Sequence, residues 1–374
     1  MRIGVPKEIK NNENRVALTP DGARTLVQAG HEVVIQTDAG LGSGFANADY
    51  EQAGAMLVSA PESWQADLVL KVKEPLAEEY PRLQNQILFT YLHLAGVDPN
   101  LTQRLLEQHT TAIAYETVED SAGRLPLLAP MSAIAGNMAV SVGNYFLSHT
   151  YKGRGVLLGR VLGESQGKVV ILGDGVVGRY AAQRAAGIGA ATCLMGRHPE
   201  RASEIAQTLS PTIRYRLSAP DSIAEEVQTA DLVVGAVLQR GGRAPIVVTE
   251  AMVRSLPPGA VIVDVSIDQG GCVATARPTS HADPIYYQYD VIHYCVTNMP
   301  GAYPRTATIM LTQATLPYVQ RLAQEGLAAL VADPAFAKGV NTFQGHLTCE
   351  PVAQALKCPE AYSPLASLLS VRSR

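Results

Sequence analysis

A chain of 374 residues has material for two domains of ordinary size, and with 47% apolar residues it can fill a core in each, which excludes a disordered chain. Its net charge of −4 gives no electrostatic footing for nucleic acid or for an anionic membrane surface. No apolar run reaches the length of a membrane span, and the opening MRIGVPKEIK lacks the apolar core of a signal peptide. The cysteines (Cys193, Cys272, Cys295, Cys349, Cys358) are scattered, without CxxC or ligand-like spacing to histidines, so the expectation is a cytoplasmic protein with reduced thiols and no bound metal.

The first elements alternate. RIGVP (2–6) reads as a strand, and TPDGARTLVQAG (19–30) as a helix with Thr19 as cap, Pro20 in the first turn and Gly30 as stop. HEVVIQT (31–37), ADLVLKV (66–72), QILFTYLHL (86–94) and TAIAYETV (111–118) read as further strands. A second series begins near residue 168 with VVILG, ATCLMG, ADLVVGAVL and AVIVDVS, and from about 306 the chain reads as helical. Strands alternating with helices predict parallel sheets covered on both faces. The expected fold is therefore α/β, with two doubly wound Rossmann-like domains, the second inserted in the first. Residues 1–127 plus 306–374 form the expected substrate domain, and residues 128–305 the expected dinucleotide-binding domain.

KVVILGDGVVGRYAAQRAAGIGA (168–190) carries Gly173-x-Gly175-x-x-Gly178 between an apolar strand and a helix, which is the context a dinucleotide fingerprint requires. Gly173 permits the tight turn, Gly175 the approach of a pyrophosphate, and Gly178 close packing of helix on strand; Val176 and Val177 open the helix whose N-terminus meets the phosphates. The second strand should end in a carboxylate that accepts from the adenosine ribose hydroxyls. It ends instead in Gly196-Arg197-His198-Pro199-Glu200-Arg201. Without that carboxylate a 2′-phosphate is not repelled, and Arg197 and Arg201 could clamp it, which favours NADP(H); the alternative is two solvated arginines at a helix start. Replacing Gly196 by Asp and Arg197 by Ile is then expected to move preference toward NAD(H).

Four polar residues interrupt or end apolar strands: Arg15 in KNNENRVALTP, Lys73 in LVLKVKEP, His93 in ILFTYLHLAG and Asp268 in VIVDVSIDQGGC. Singly, a histidine in an apolar stretch is an ordinary core residue and a lysine there is a snorkelling one. Together they supply a carboxylate binder, a carbonyl polariser, a proton carrier with an ordinary pKa near neutrality and an acid, beside a hydride acceptor. That set suits the oxidation of an amino acid or a hydroxy acid.

The blocks IGVPKEIKNNENRVALTP, KVKEP, YLHLA, AYETV, LPLLAPMS, IDQGGC and NMPGA closely resemble the alanine dehydrogenase family, with relatives in the NAD-binding subunit of proton-translocating transhydrogenase. The likeness runs over nearly the whole chain. It implies reversible oxidative deamination of L-alanine to pyruvate and ammonia in a homohexamer, with NAD(H) as the family's usual cofactor. Hydride would leave the substrate Cα for nicotinamide, water would add to the iminium ion, and the carbinolamine would collapse. By resemblance Arg15 holds the substrate carboxylate, Lys73 polarises the carbonyl or imine, and His93 transfers protons. Asp268 assists at the amino group beside Asn298 and Met299, and Ser132 touches the cofactor. The chain departs from the family at Gly196, where Asp is usual, at Gly159–Gly163, where GGVPG is common, and at Asn137, where Arg is. Arg160 would add a positive charge near the cofactor. Three alternatives stay open: another 2-amino acid as substrate, a transhydrogenase-like dinucleotide-binding subunit, or a cofactor sensor without turnover.

Overall fold

The computed structural model describes residues 1–239 and 243–370. They form two compact units, Met1–Met131 with Gly301–Arg374, and Ser132–Pro300. The divisions lie a few residues from the boundaries expected at 127/128 and 305/306. Among the described residues no helix is long and apolar enough to cross a membrane.

The first unit is built on an eight-stranded sheet. Its strands β1 (Arg2–Val5), β2 (Glu32–Gln36), β3 (Met56–Val58), β4 (Leu68–Leu70), β5 (Ile87–Thr90) and β6 (Thr111–Ala114) all run parallel, in the spatial order β6-β5-β4-β1-β2-β3. Every residue of β4, β5 and β6 is buried, so their apolar runs are continuous rather than alternating, as a sheet covered on both faces demands. The helix expected after β1 forms over Pro20–Gln28, with the Thr19 side chain accepting from Gly22 N–H.

The tail differs from its reading. A helix over Pro304–Glu325 is followed by strands Val340–Phe343 and His346–Leu347, which extend the sheet antiparallel beyond β6. Gly345, at φ 82°, makes the turn between them. The long helix is bolted to the segment before the first helix: Val16 N–H donates to Thr308 Oγ1 at 3.1 Å and Thr19 N–H to Thr312 Oγ1 at 3.2 Å. Those two bonds fix the backbone on both sides of Ala17 and so place Arg15.

The second unit carries a seven-stranded sheet. After a small hairpin of β7 (Gly159–Val161) and β8 (Glu164–Gln166) come β9 (Lys168–Leu172), β10 (Ala191–Gly196), β11 (Arg214–Leu217), β12 (Leu232–Gly235), β13 (Val261–Asp264), β14 (Ile285–Gln288) and β15 (Val291–Tyr294). The order is β11-β10-β9-β12-β13-β15-β14, parallel except for β14. The chain winds outward one way from β9 and then the other way from β12. The crevice at that reversal, outside the carboxyl ends of β9 and β12, is where such sheets bind ligands.

Candidate functional site

In the first unit, Arg15, Lys73 and His93 are each held by a glutamate: Arg15 by Glu13, its neighbour in sequence, and the other two by glutamates from another stretch of chain. Arg15 is 2% exposed; its Nε and Nη2 donate to Glu13 at 2.7 and 2.5 Å, and its Nη1 faces Met131 Sδ at 3.1 Å. One edge of the guanidinium fork, Nε with Nη2, is therefore engaged by Glu13.

Lys73 follows β4, and the buried Glu8 organises its backbone. Glu8 Oε1 accepts from Val72 N–H at 2.6 Å and from Lys73 N–H at 3.3 Å. The other glutamate oxygen takes Lys71 Nζ at 3.1 Å, and Glu79 takes the same ammonium at 3.0 Å. Lys71 is wholly buried, and burial works against its charged form, yet the two glutamates more than offset this and raise its pKa. Burial pushes the Glu8 carboxyl up, with Lys71 opposing. In the dipeptide repeat of LKVK one lysine is thus a buried structural cation. The other, Lys73, is half-buried with its Nζ 6.0 Å from the centre of the Tyr91 ring.

His93 stacks on the opposite partner of that arrangement. Its ring lies 5.8 Å from Tyr91, 4° from parallel. Its backbone takes the left-handed conformation, φ 48°, which Glu116 latches by accepting from His93 N–H at 2.6 Å. The same carboxylate oxygen lies 3.8 Å from His93 Nδ1. Burial raises the Glu116 carboxyl, while the backbone donors and the Lys73 charge lower it. Tyr91 is fixed in turn by its hydroxyl, which donates to Leu127 O at 2.6 Å. The result is one rigid aromatic ring carrying an ammonium and an imidazole. Glu8, Glu13, Glu116 and Tyr91 were not singled out from sequence, although they stand within the blocks IGVPKEIKNNENRV, AYETV and YLHLA.

In the second unit the three glycines answer three different constraints. Gly173 has φ 113°, and a Cβ there would stand 2.3 Å from Ala236 O; a Cβ at Gly178 would stand 1.8 Å from Gly173 O. At Gly175 a Cβ would meet nothing within 4 Å. The first two glycines are demanded by the protein's own packing, whereas the third keeps an open approach to the backbone. It precedes a helix, Val176–Gly187, whose N-terminus has no side-chain cap. Val176 is exposed there, and Val177 packs against the unit's core. Uncapped N–H groups and an open glycine are what a pyrophosphate needs, so these residues fit a dinucleotide.

Gly196 ends β10, and the space beside it is filled. A Cβ there would lie 2.2 Å from Tyr215 Oη and 2.5 Å from Asp174 Cγ. Asp174 Oδ2 accepts from Tyr215 at 3.0 Å and from Arg201 Nη1 at 3.1 Å. Arg197 is exposed, while Arg201 is already paired. Arg160 corrects its expectation: its Cβ is 2.8 Å from where a Cβ on Gly189 would be, past the far end of the twelve-residue helix. At about 1.5 Å of rise per residue that is on the order of 18 Å from the glycine loop. Asn137 bonds back to Ala133 O at 2.9 Å, and Ser132 lies in the first turn of helix Ala129–Phe146.

Asp268 is exposed on the turn after β13, and its Oδ1 accepts from Asn298 N–H at 3.2 Å. Asn298 adopts φ 55°, and Met299 beside it is buried in the core. The turn is held by Asp264, the fully buried last residue of β13. It accepts from the N–H groups of Ser266, Cys272 and Val273 at 3.0, 2.8 and 3.2 Å.

Residues 4–135 match the family described as "Alanine dehydrogenase/PNT, N-terminal domain", and residues 139–350 match "Alanine dehydrogenase/PNT, C-terminal domain". The chain is 49% identical over 374 residues to an alanine dehydrogenase of Geobacillus stearothermophilus, covering 99% of this chain and 100% of that protein. It is 51% identical over 361 residues to an alanine dehydrogenase of Bacillus subtilis, covering 95% of each. A solved structure titled L-alanine dehydrogenase matches with a TM-score of 0.91 at 52% identity, covering 96% of this chain and 99% of that one.

Proposed function

The chain belongs to the alanine dehydrogenase/PNT family, and from that membership we propose that it is an L-alanine dehydrogenase. It would convert L-alanine, water and an oxidised nicotinamide dinucleotide reversibly into pyruvate, ammonium, the reduced dinucleotide and a proton. The observation that carries this reading is the Tyr91 ring with the Lys73 ammonium on it and His93 stacked against it. A cation and a proton carrier so fixed suit the interconversion of amine and carbonyl at one carbon.

In this reading Met1–Met131 with Gly301–Arg374 is the substrate unit and Ser132–Pro300 the dinucleotide unit. Arg15 binds the substrate carboxylate through charge-assisted bonds. Lys73 stabilises negative charge as it develops on the carbonyl or carbinolamine oxygen. His93 takes a proton from the adding water and returns it when ammonia leaves. Asp268, oriented by Asn298 N–H, accepts from the amino group. The dinucleotide supplies one thing, a hydride acceptor for the substrate Cα. Ser132, Gly173, Gly175, Val176, Val177, Gly178, Asn298 and Met299 are the proposed cofactor residues. The arginines at 197 and 201 favour NADP(H) on charge alone, whereas NAD(H) is the cofactor expected by resemblance. A homohexamer is expected by resemblance as well.

The test is turnover by the purified chain. L-alanine is offered with NAD⁺ and with NADP⁺, pyruvate and ammonium with the reduced forms, and a panel of other 2-amino acids alongside. Turnover of L-alanine ahead of the panel is the expected result. Faster turnover of a different amino acid would reassign the substrate, and dinucleotide binding without turnover of any would leave a sensor in place of an enzyme.

A further inference from the structure

We propose that Asp174 is the residue that discriminates NAD(H) from NADP(H) in this chain. It would do so by supplying, from the glycine loop, the carboxylate that the end of β10 lacks. The proposal rests on the reading of that loop as a dinucleotide site.

In a sheet of this winding the acidic residue that accepts from the adenosine ribose hydroxyls stands at the end of the second strand. Here that strand is β10 and its last residue is Gly196. The missing side chain has not left a gap. The carboxyl carbon of Asp174 lies 2.5 Å from where a Cβ on Gly196 would be, and its Oδ2 lies 2.7 Å from the same point. The carboxylate therefore reaches the place served by a residue-196 carboxylate, but it comes from the turn after β9, between Gly173 and Gly175.

Its hydrogen bonds are unevenly shared. Tyr215 and Arg201 both donate to Oδ2, and Oδ1 accepts from none of the described residues. Tyr215 Oη itself accepts from His198 N–H at 3.3 Å, so the carboxylate is held through one oxygen by Tyr215 of β11 and Arg201 of the helical turn after β10. Asp174 is only 12% exposed at its side chain, and an oxygen with remaining acceptor capacity suits two vicinal hydroxyls.

A 2′-phosphate would meet the same group with the opposite result. It would bring negative charge against a carboxylate, and the Arg201 guanidinium that could compensate is engaged by Asp174 at 3.1 Å. Arg197 alone, on the exposed side, is a solvated cation and is worth little there. The arginine pair that favours NADP(H) in the sequence is thus partly neutralised in the fold. Restoring Asp at position 196 is a poor probe, because its Cβ would collide with Tyr215 Oη and Asp174 Cγ.

The experiment titrates the full chain with ADP-ribose and with 2′-phospho-ADP-ribose, which report binding without turnover, and compares catalytic efficiencies with NAD⁺ and NADP⁺. Wild type is expected to bind the unphosphorylated ligand at least tenfold more tightly. Asp174→Asn keeps the size of the side chain, removes its charge and releases Arg201. It should shift the ratio of the two affinities at least tenfold toward the phosphorylated ligand, with an absolute gain in 2′-phospho-ADP-ribose affinity that a damaged fold could not produce. Asp174→Ala should shift the ratio in the same direction. Wild-type preference for the 2′-phosphorylated ligand, or a ratio that moves less than about twofold in both variants, overturns the assignment to Asp174 while leaving the dinucleotide site intact. If wild type binds neither ligand, the reading of the loop falls and the proposal with it.

Discussion

Replacing Gly175 by alanine should separate fold from ligand binding at a single methyl group. Gly175 has φ −72° and ψ −168°, an extended backbone that any residue adopts, and the new methyl would touch nothing within 4 Å. The cost is confined to losing glycine at a helix start, a few tenths to about 1 kcal/mol, and the stiffer unfolded chain offsets about 0.4–1 kcal/mol of it. The melting temperature without ligand should therefore stay within about 3 °C of wild type. Binding should suffer, because the methyl occupies the approach to the pyrophosphate. At a ligand concentration of about 100 Kd, dinucleotide stabilises wild type by roughly 2.7 kcal/mol, and a tenfold weaker site leaves only about 1.4 kcal/mol. Gly178→Ala is the counterpart. Its methyl would lie 1.8 Å from Gly173 O, backbone against backbone, so the helix must move, at roughly 1–3 kcal/mol or more even without ligand. Thermal melts of the three proteins with and without dinucleotide provide the assay. If Gly175→Ala keeps the full ligand-dependent stabilisation, the pyrophosphate does not lie on that backbone and the fingerprint reading is refuted.

Other outcomes follow from the side-chain arrangement. His93→Asn retains a residue that tolerates φ 48°, so it should fold, bind dinucleotide within about twofold of wild type and lose on the order of 10²–10⁴ in turnover; retention of a tenth of the wild-type rate would remove His93 from the chemistry. Lys71→Met and Lys73→Met should part company. The first strands the buried Glu8 and Glu79 and costs about 3–5 kcal/mol of stability, while the second leaves the melt nearly unchanged and impairs turnover; equal effects on stability would show that both lysines are structural. Glu226 is buried among Lys168, Arg214 and Arg216. Burial alone would raise its carboxyl, but hydrogen bonds from those three cations bring it down to about 2. A depressed carboxyl contributes its full stability above the ordinary value near 4.5 and loses it as pH falls through about 2. The deficit of Glu226→Gln in denaturant melts, about 1–3 kcal/mol at pH 7, should accordingly close across that window, and a deficit independent of pH would contradict the pairing.

The elements whose causes are local were legible in the sequence. Thr19 and Pro20 announce a helix start because the free N–H groups of its first turn need an acceptor nearby, and Thr19 supplies it to Gly22. Gly178 is demanded by its close approach to Gly173 O and Gly173 by the φ of 113° at the turn, both within one strand–turn–helix, so their spacing is enough to identify them. Lys73 and His93 stood out because each breaks an apolar run. Tertiary structure alone decided which charges are available. Nothing local distinguishes Lys71 from Lys73; the difference is made by Glu8, some 63 residues away in the chain, whose carboxylate takes one ammonium and only the backbone of the other. Likewise Glu116 reaches back 23 residues to latch His93, and Asp174 reaches 27 residues forward to Arg201, changing what that arginine can offer a ligand. The tail strand Val340–Phe343 is β only because β6 leaves an edge beside it, where the sequence reads as continuing helix. Propensity and capping act over one or two turns of chain. Ion pairing and sheet edges depend on where the crossovers bring distant segments, which is why Gly196 looked like an opening in the sequence and is closed in the fold.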